Sequence, residues 1–135
     1  MDLLSIVLKI HSLLRWLIVA VSLAALVWFA LVWLRGMRSE KADRGLMAAF
    51  SGLIDTQVLI GIIYILWSGF TGAGFPLYRI EHAVVMIIAA VTAHSAMGWR
   101  KAGVQTRARN NAALIVGVLV LIFIGVSLLP KGWAG

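Results

Sequence analysis

Four long apolar stretches constrain the fold of this chain more than any other feature of its sequence. They cover about 13–34, 46–67, 80–99 and 112–129, and segments rich in Gly, Pro and polar residues separate them. A helix that crosses the hydrocarbon core of a bilayer needs roughly 20 mostly apolar residues. The sequence therefore predicts an all-α integral membrane protein, a four-helix bundle that forms one transmembrane domain over 1–135.

The composition supports a membrane protein over a soluble one. Hydrophobic residues make up 62% of the chain and charged residues 13%, whereas soluble domains carry about 25% charged residues. The chain has no cysteine, which excludes a disulfide framework, a thiolate metal site and covalent haem attachment through Cys-x-x-Cys-His. We expect the lipid bilayer as partner and no nucleic acid, because the net charge of +7 lies mainly between the apolar stretches.

The basic residues also predict the orientation. Eight of the 12 Lys and Arg residues fall after the first and third apolar stretches: Arg35, Arg38, Lys41, Arg44, Arg100, Lys101, Arg107 and Arg109. The positive-inside rule assigns both segments to the cytoplasm, so that 70–78 and both termini face outward. The connections are short, which predicts consecutive antiparallel helices in up-down-up-down order. Small residues in the third and fourth stretches predict close packing between those two helices.

Several ionisable residues lie inside the apolar stretches, where each costs at least ~2.5–3.5 kcal/mol on insertion scales and marks a functional site by default. They form two layers, an outer one of His11, Arg15, Glu81 and His82 and an inner one of Asp55 and His94. All three histidines of the chain belong to this set.

The outer layer predicts a haem site. His11 and His82 have matching depths on two different helices, as the two axial ligands of a b-type haem require. Arg15 lies one turn deeper than His11 and would offset a haem propionate. Two alternatives stay open: His11 is a histidine at the membrane interface, or Glu81 and Arg15 form an ion pair.

The inner layer predicts a contact between Asp55 and His94, whose levels differ by only ~5 Å at 1.5 Å of rise per residue. We interpret the two as a buried hydrogen-bonded pair, a helix tie or a proton-accepting site. His94 is also a candidate cofactor ligand, although it lies ~18 Å along the helix from His82. Gln57 is interpreted as a helix tie, with contact to a quinone carbonyl as its alternative.

A family resemblance rests on the motifs His11-Ser-Leu-Leu-Arg15-Trp16, Gln57-Val-Leu-Ile-Gly61 and Glu81-His82, followed by His94. With these motifs the chain resembles small bacterial four-helix membrane proteins of the cytochrome-b-like type. The resemblance implies haem-linked electron transfer in the bacterial inner membrane, with quinol or a partner complex as the redox partner. It also implies haem b as cofactor, a quinone as a further candidate ligand, and other membrane subunits as partners.

Two other functions remain open at this point. The chain is a non-catalytic accessory subunit of a respiratory or photosynthetic complex, or it is a haem-free quinone-binding or proton-relay protein that uses Arg15, Asp55 and His94. No motif of a hydrolase, a phosphate-binding loop or a zinc site is present in the sequence.

Overall fold

The computed structural model describes residues 2–135 and is almost entirely helical, with no strand in that range. Its four long helices are α1 (Leu3–Arg35), α2 (Glu40–Ser68), α3 (Leu77–His94) and α4 (Val104–Ser127). A π-helical turn, Gly69–Ala73, extends α2, and 3-10 turns form over Ser95–Trp99 and Gly132–Ala134. All four long helices are long and apolar enough to cross a membrane.

Local sequence signals explain the ends of the helices. The Asp2 carboxylate caps α1 by accepting a 2.8 Å hydrogen bond from the Ser5 backbone N–H. Hydrogen bonding with the side chain and the backbone of Ser5 also lowers the pKa of Asp2 below its usual value. Gly36 ends α1 in the left-handed conformation, with φ of 68°, which glycine adopts without steric cost. Ser39 then caps α2 through a bond from the Ala42 N–H.

The helices extend further than the apolar stretches. Helix α1 begins at Leu3, and α2 and α4 include basic residues that the sequence analysis placed in connections. The segment 104–111, interpreted as a break, is the start of α4. It is polar but contains neither Gly nor Pro, and Gln, Arg and Ala have good helix propensity. Apolar length therefore underestimates helical length here.

Packing differs between the two ends of the molecule. At the end with Arg35, the side chains of Phe29, Phe50 and Ile115 are almost completely buried between three helices. Helix α1 contacts α2 and α4, and α3 contacts the same two helices, whereas α1 and α3 make no close backbone contact within 2–135. At the end with His11 the helices enclose a cavity of about 480 Å³.

The predicted close packing of the third and fourth helices is confirmed at one glycine and not at the other. A Cβ on Gly125 of α4 would overlap the side chain of Met86 in α3, so this position requires glycine. Met86 thus fills the gap beside α4, as expected of a flexible thioether side chain. Gly117 instead faces outward, and a Cβ there would meet nothing within 4 Å.

Candidate functional site

The cavity at the His11 end is the candidate site. Its walls are mainly apolar, including Ile18, Ile54, Val58, Ile122 and Val126. A volume of about 480 Å³ falls in the range of roughly 300–1,000 Å³ typical of small-molecule and cofactor pockets. Its polar lining comes from His11, Ser12, Arg15, Gln57, Tyr64, Tyr78, Arg79, His82 and Lys131.

His82 enters the cavity from α3 with one ring nitrogen already occupied. Its Nδ1 lies 2.7 Å from the carbonyl oxygen of Gly125 in α4. A carbonyl only accepts, so Nδ1 carries the hydrogen and a neutral ring keeps its lone pair on Nε2. Metal-binding histidines commonly have their other nitrogen fixed by a backbone carbonyl in this way.

His11 enters from α1 and packs against α2. A Cβ on Gly61 would lie 3.0 Å from Cε1 of the His11 ring, so the absence of a side chain at Gly61 makes room for this ring. The Gln57 side-chain Nε2 donates a 2.7 Å hydrogen bond to the His11 carbonyl oxygen. Gln57 therefore ties α2 to α1, in agreement with its interpretation as a helix tie.

The two imidazoles face each other across the bundle, and the predicted shared level is confirmed. Their ring centroids are 6.4 Å apart and their planes are inclined by 79°. Bonds from imidazole nitrogen to metal are about 2.0–2.1 Å long, so two nitrogens on opposite sides of one metal lie about 4 Å apart. A centroid separation of 6.4 Å accommodates that arrangement once the size of each ring is included.

Three cations stand around the cavity: Arg15, Arg79 and Lys131. Arg15 donates a 2.6 Å hydrogen bond from Nη2 to the Gly135 carbonyl oxygen, and its guanidinium lies 5.3 Å from the ring centroids of both Trp16 and Trp133. Arg79 donates from Nη1 to the Ser68 hydroxyl oxygen at 2.9 Å. This positive surround suits a ligand that carries carboxylates.

Several buried polar atoms near the cavity lack a hydrogen-bond partner among residues 2–135: His11 Nδ1, Arg15 Nε, Gln57 Oε1 and Trp133 Nε1. Buried polar groups in proteins are nearly always paired, so each exception calls for an explanation. Three of these four residues line the cavity. A polar ligand or ordered water in the cavity would satisfy them.

The donor set favours a metal that brings further ligands of its own. Within the part of the chain that the structure describes, no three His, Cys, Asp or Glu residues group together as a metal site would require. A bare zinc ion usually takes four ligands, at least three of them from protein. Two facing histidines in an apolar cavity instead match the axial positions of a haem, whose macrocycle supplies the remaining ligands.

The interpretation of Glu81 and Arg15 as an ion pair is wrong. Arg15 turns toward Gly135, while the Glu81 side chain is exposed and has no ion pair or hydrogen-bonded partner within 2–135. Both residues lie at the expected end of the bundle, but consecutive residues of α3 point about 100° apart. Because His82 points inward, Glu81 cannot.

Asp55 and His94 meet as predicted, but not in the interior. His94 Nε2 lies 2.7 Å from Asp55 Oδ2 and 2.9 Å from Oδ1. The two side chains remain 49% and 47% exposed, on the outer surface between α2 and α3. The expected buried pair is therefore wrong in its burial, and neither residue lines the cavity.

Sequence reasoning missed a buried acidic residue at the opposite end. The Asp43 carboxylate accepts a 2.7 Å hydrogen bond from Trp28 Nε1 and lies 3.5 Å from Arg107 Nη2. It thereby links α1, α2 and α4. The available signal was an acidic residue within a segment interpreted only through its excess of Lys and Arg.

Comparisons with protein-family models, curated protein sequences and solved structures found no match to this chain.

Proposed function

We propose that this chain is a multi-pass membrane protein of electron transfer, with a b-type haem between His11 and His82. The observation that carries the proposal is the pair of imidazoles, 6.4 Å apart between centroids, in a largely apolar cavity of about 480 Å³. When bound, the haem would supply a centre that gains and loses one electron. Quinol or a partner complex would exchange electrons with it.

The membrane arrangement belongs to the same proposal. Four helices of sufficient length and apolarity support insertion. Contacts of the start of α1 with the second half of α2 support an antiparallel up-down-up-down order, as does the contact between the start of α3 and the end of α4. The basic residues support a bacterial inner-membrane orientation with the Arg35 end in the cytoplasm.

The residues around the cavity have distinct roles in this proposal. His82, fixed by the Gly125 carbonyl, would present Nε2 to the iron. His11 would bind from the opposite side, supported by its packing against Gly61. Arg15 and Arg79 would offset the propionates, because opposite charges attract strongly where water is scarce. The apolar walls would exclude water from the redox centre.

The test is a visible absorption spectrum of the protein, expressed with an ample haem supply and purified in detergent. The wild type is expected to show the sharp reduced α-band of a low-spin bis-histidine b haem. His11→Ala and His82→Ala should each lose this band or the haem, since one axial ligand is removed. His94→Ala is the matched control and should keep the band, because His94 lies outside the cavity.

Two results would contradict this assignment. A colourless wild type would remove the haem and favour an accessory-subunit role. A band lost only in His94→Ala would move the site to the surface between α2 and α3.

A further inference from the structure

The Asp55–His94 pair is polar, yet it lies on an otherwise apolar outer surface. Both side chains are about half exposed. Near them, Leu59 of α2 and Val91 of α3 are 59% and 67% exposed. Of the proposed function, the inference below needs only membrane insertion and not the haem.

In a bilayer this pair would be incompletely satisfied. His94 uses Nε2 for both carboxylate oxygens of Asp55, which leaves its Nδ1 without a hydrogen-bonded partner within 2–135. The carboxylate also retains lone pairs. Lipid chains offer neither donors nor acceptors, so ionisable residues within a membrane usually face protein or a water-filled cavity. We expect a protein surface to cover this pair.

The same face of α2 permits another helix to approach closely. Gly45, Ala48 and Gly52 precede Asp55 at helical spacings of three and four residues, and all three are exposed. A Cβ on Gly45 or on Gly52 would meet nothing within 4 Å. Small residues at such spacing allow close contact between helices in lipid.

We propose that this face, formed by Gly45, Ala48, Gly52, Asp55 and His94, binds a second copy of the same chain across a two-fold axis. A two-fold interface must be self-complementary, because the same patch meets itself. The Asp55–His94 pair meets this condition, since it offers an imidazole nitrogen and carboxylate oxygens side by side. With the pair ionised, opposite charges on neighbouring side chains also avoid net repulsion between the copies.

Disulfide cross-linking of the full chain in native membranes tests the proposal, and the absence of native cysteine makes the background clean. Gly52→Cys places a thiol on the proposed interface and should give a product of twice the chain mass on oxidation. Gly117→Cys is the matched control, because Gly117 is an exposed glycine of α4 with equally open surroundings. This control should stay largely uncross-linked.

A second substitution tests the polar pair itself. Asp55→Leu in the Gly52→Cys background should weaken dimerisation roughly tenfold or more, because a two-fold interface loses each contact twice. Asp55→Asn keeps a hydrogen-bonding side chain and should retain most of the cross-linking. Subunit counting by single-molecule photobleaching in lipid nanodiscs should give two copies for the wild type and one for Asp55→Leu.

Several results would overturn the dimer. They are a single copy of the wild type in nanodiscs, equal cross-linking of Gly52→Cys and Gly117→Cys, unchanged dimerisation of Asp55→Leu, and a cross-linked product containing a different protein. The absorption spectrum of the same samples separates the two proposals. A colourless dimer would contradict only the haem, and a coloured monomer would contradict only the dimer.

Discussion

At the scale of single residues, the site depends on what the imidazoles touch as much as on the imidazoles themselves. The Gly125 carbonyl orients His82, and the bare backbone of Gly61 makes room for His11. The sequence predicted the matching depth of the two histidines by counting residues from the helix ends. It could not predict these two glycine contacts, because they depend on how each helix is rotated against its neighbour.

Gly61→Ala tests the packing of His11 directly. The added methyl group would lie 3.0 Å from the ring carbon and would shift the ring from its preferred rotamer. An off-rotamer side chain costs about 0.5–1.5 kcal/mol, so haem affinity should fall roughly 2- to 12-fold. Spectroscopic haem titration measures this change.

Gly117→Ala serves as the control for that titration, because its methyl group would meet nothing within 4 Å. It should leave haem affinity unchanged. Equal affinities of the two alanine variants would show that Gly61 does not position His11.

At the scale of helices, apolar length predicted the number and order of the elements correctly, whereas their rotation was harder to predict. A helix in lipid is apolar around most of its circumference, so hydrophobic periodicity does not reveal which side faces the other helices. For this reason the contact of Asp55 with His94 followed from their levels, but its outward position did not. The same uncertainty hid Asp43, which the sequence analysis treated as part of a connection.

Asp43 should contribute to the stability of the bundle through its links to α1 and α4. Asp43→Leu leaves the Trp28 N–H and the Arg107 guanidinium without their acceptor. Leaving such groups unpaired costs about 1–3 kcal/mol. The free energy of unfolding, measured in detergent by chemical denaturation, should fall by that amount.

Glu40→Leu is the matched control, because Glu40 is an exposed acidic residue in the first turn of the same helix. Its effect should stay within about 0.5 kcal/mol, as is usual for surface substitutions. If both variants lose the same free energy, the links made by Asp43 do not stabilise the bundle.

At the scale of the whole molecule, a closely packed end and a hollow end divide the work. The closely packed end carries most of the basic residues and the buried Phe29 and Phe50. The hollow end carries both imidazoles. In the proposed orientation the cofactor would lie near the outer side of the membrane, and the basic end would anchor the bundle in the cytoplasm.

Reporter fusions test this orientation. Alkaline phosphatase fused after Gly135 should be active, because its disulfides form only outside the cytoplasm. The same enzyme inserted at Ser39, next to Arg38 and Lys41, should be inactive. Activity at Ser39 together with silence after Gly135 would reverse the proposed topology.

The segment 128–135 has a consequence for how such a protein matures. Leu129, Pro130, Lys131 and Gly132 line the cavity, while Arg15 holds the Gly135 carbonyl and Trp133 stacks on Phe123. A flat macrocycle would have to be loaded before this segment docks, or after it has been displaced. Docking of the segment would then be the last event of biogenesis, and it would retain the newly inserted cofactor behind it.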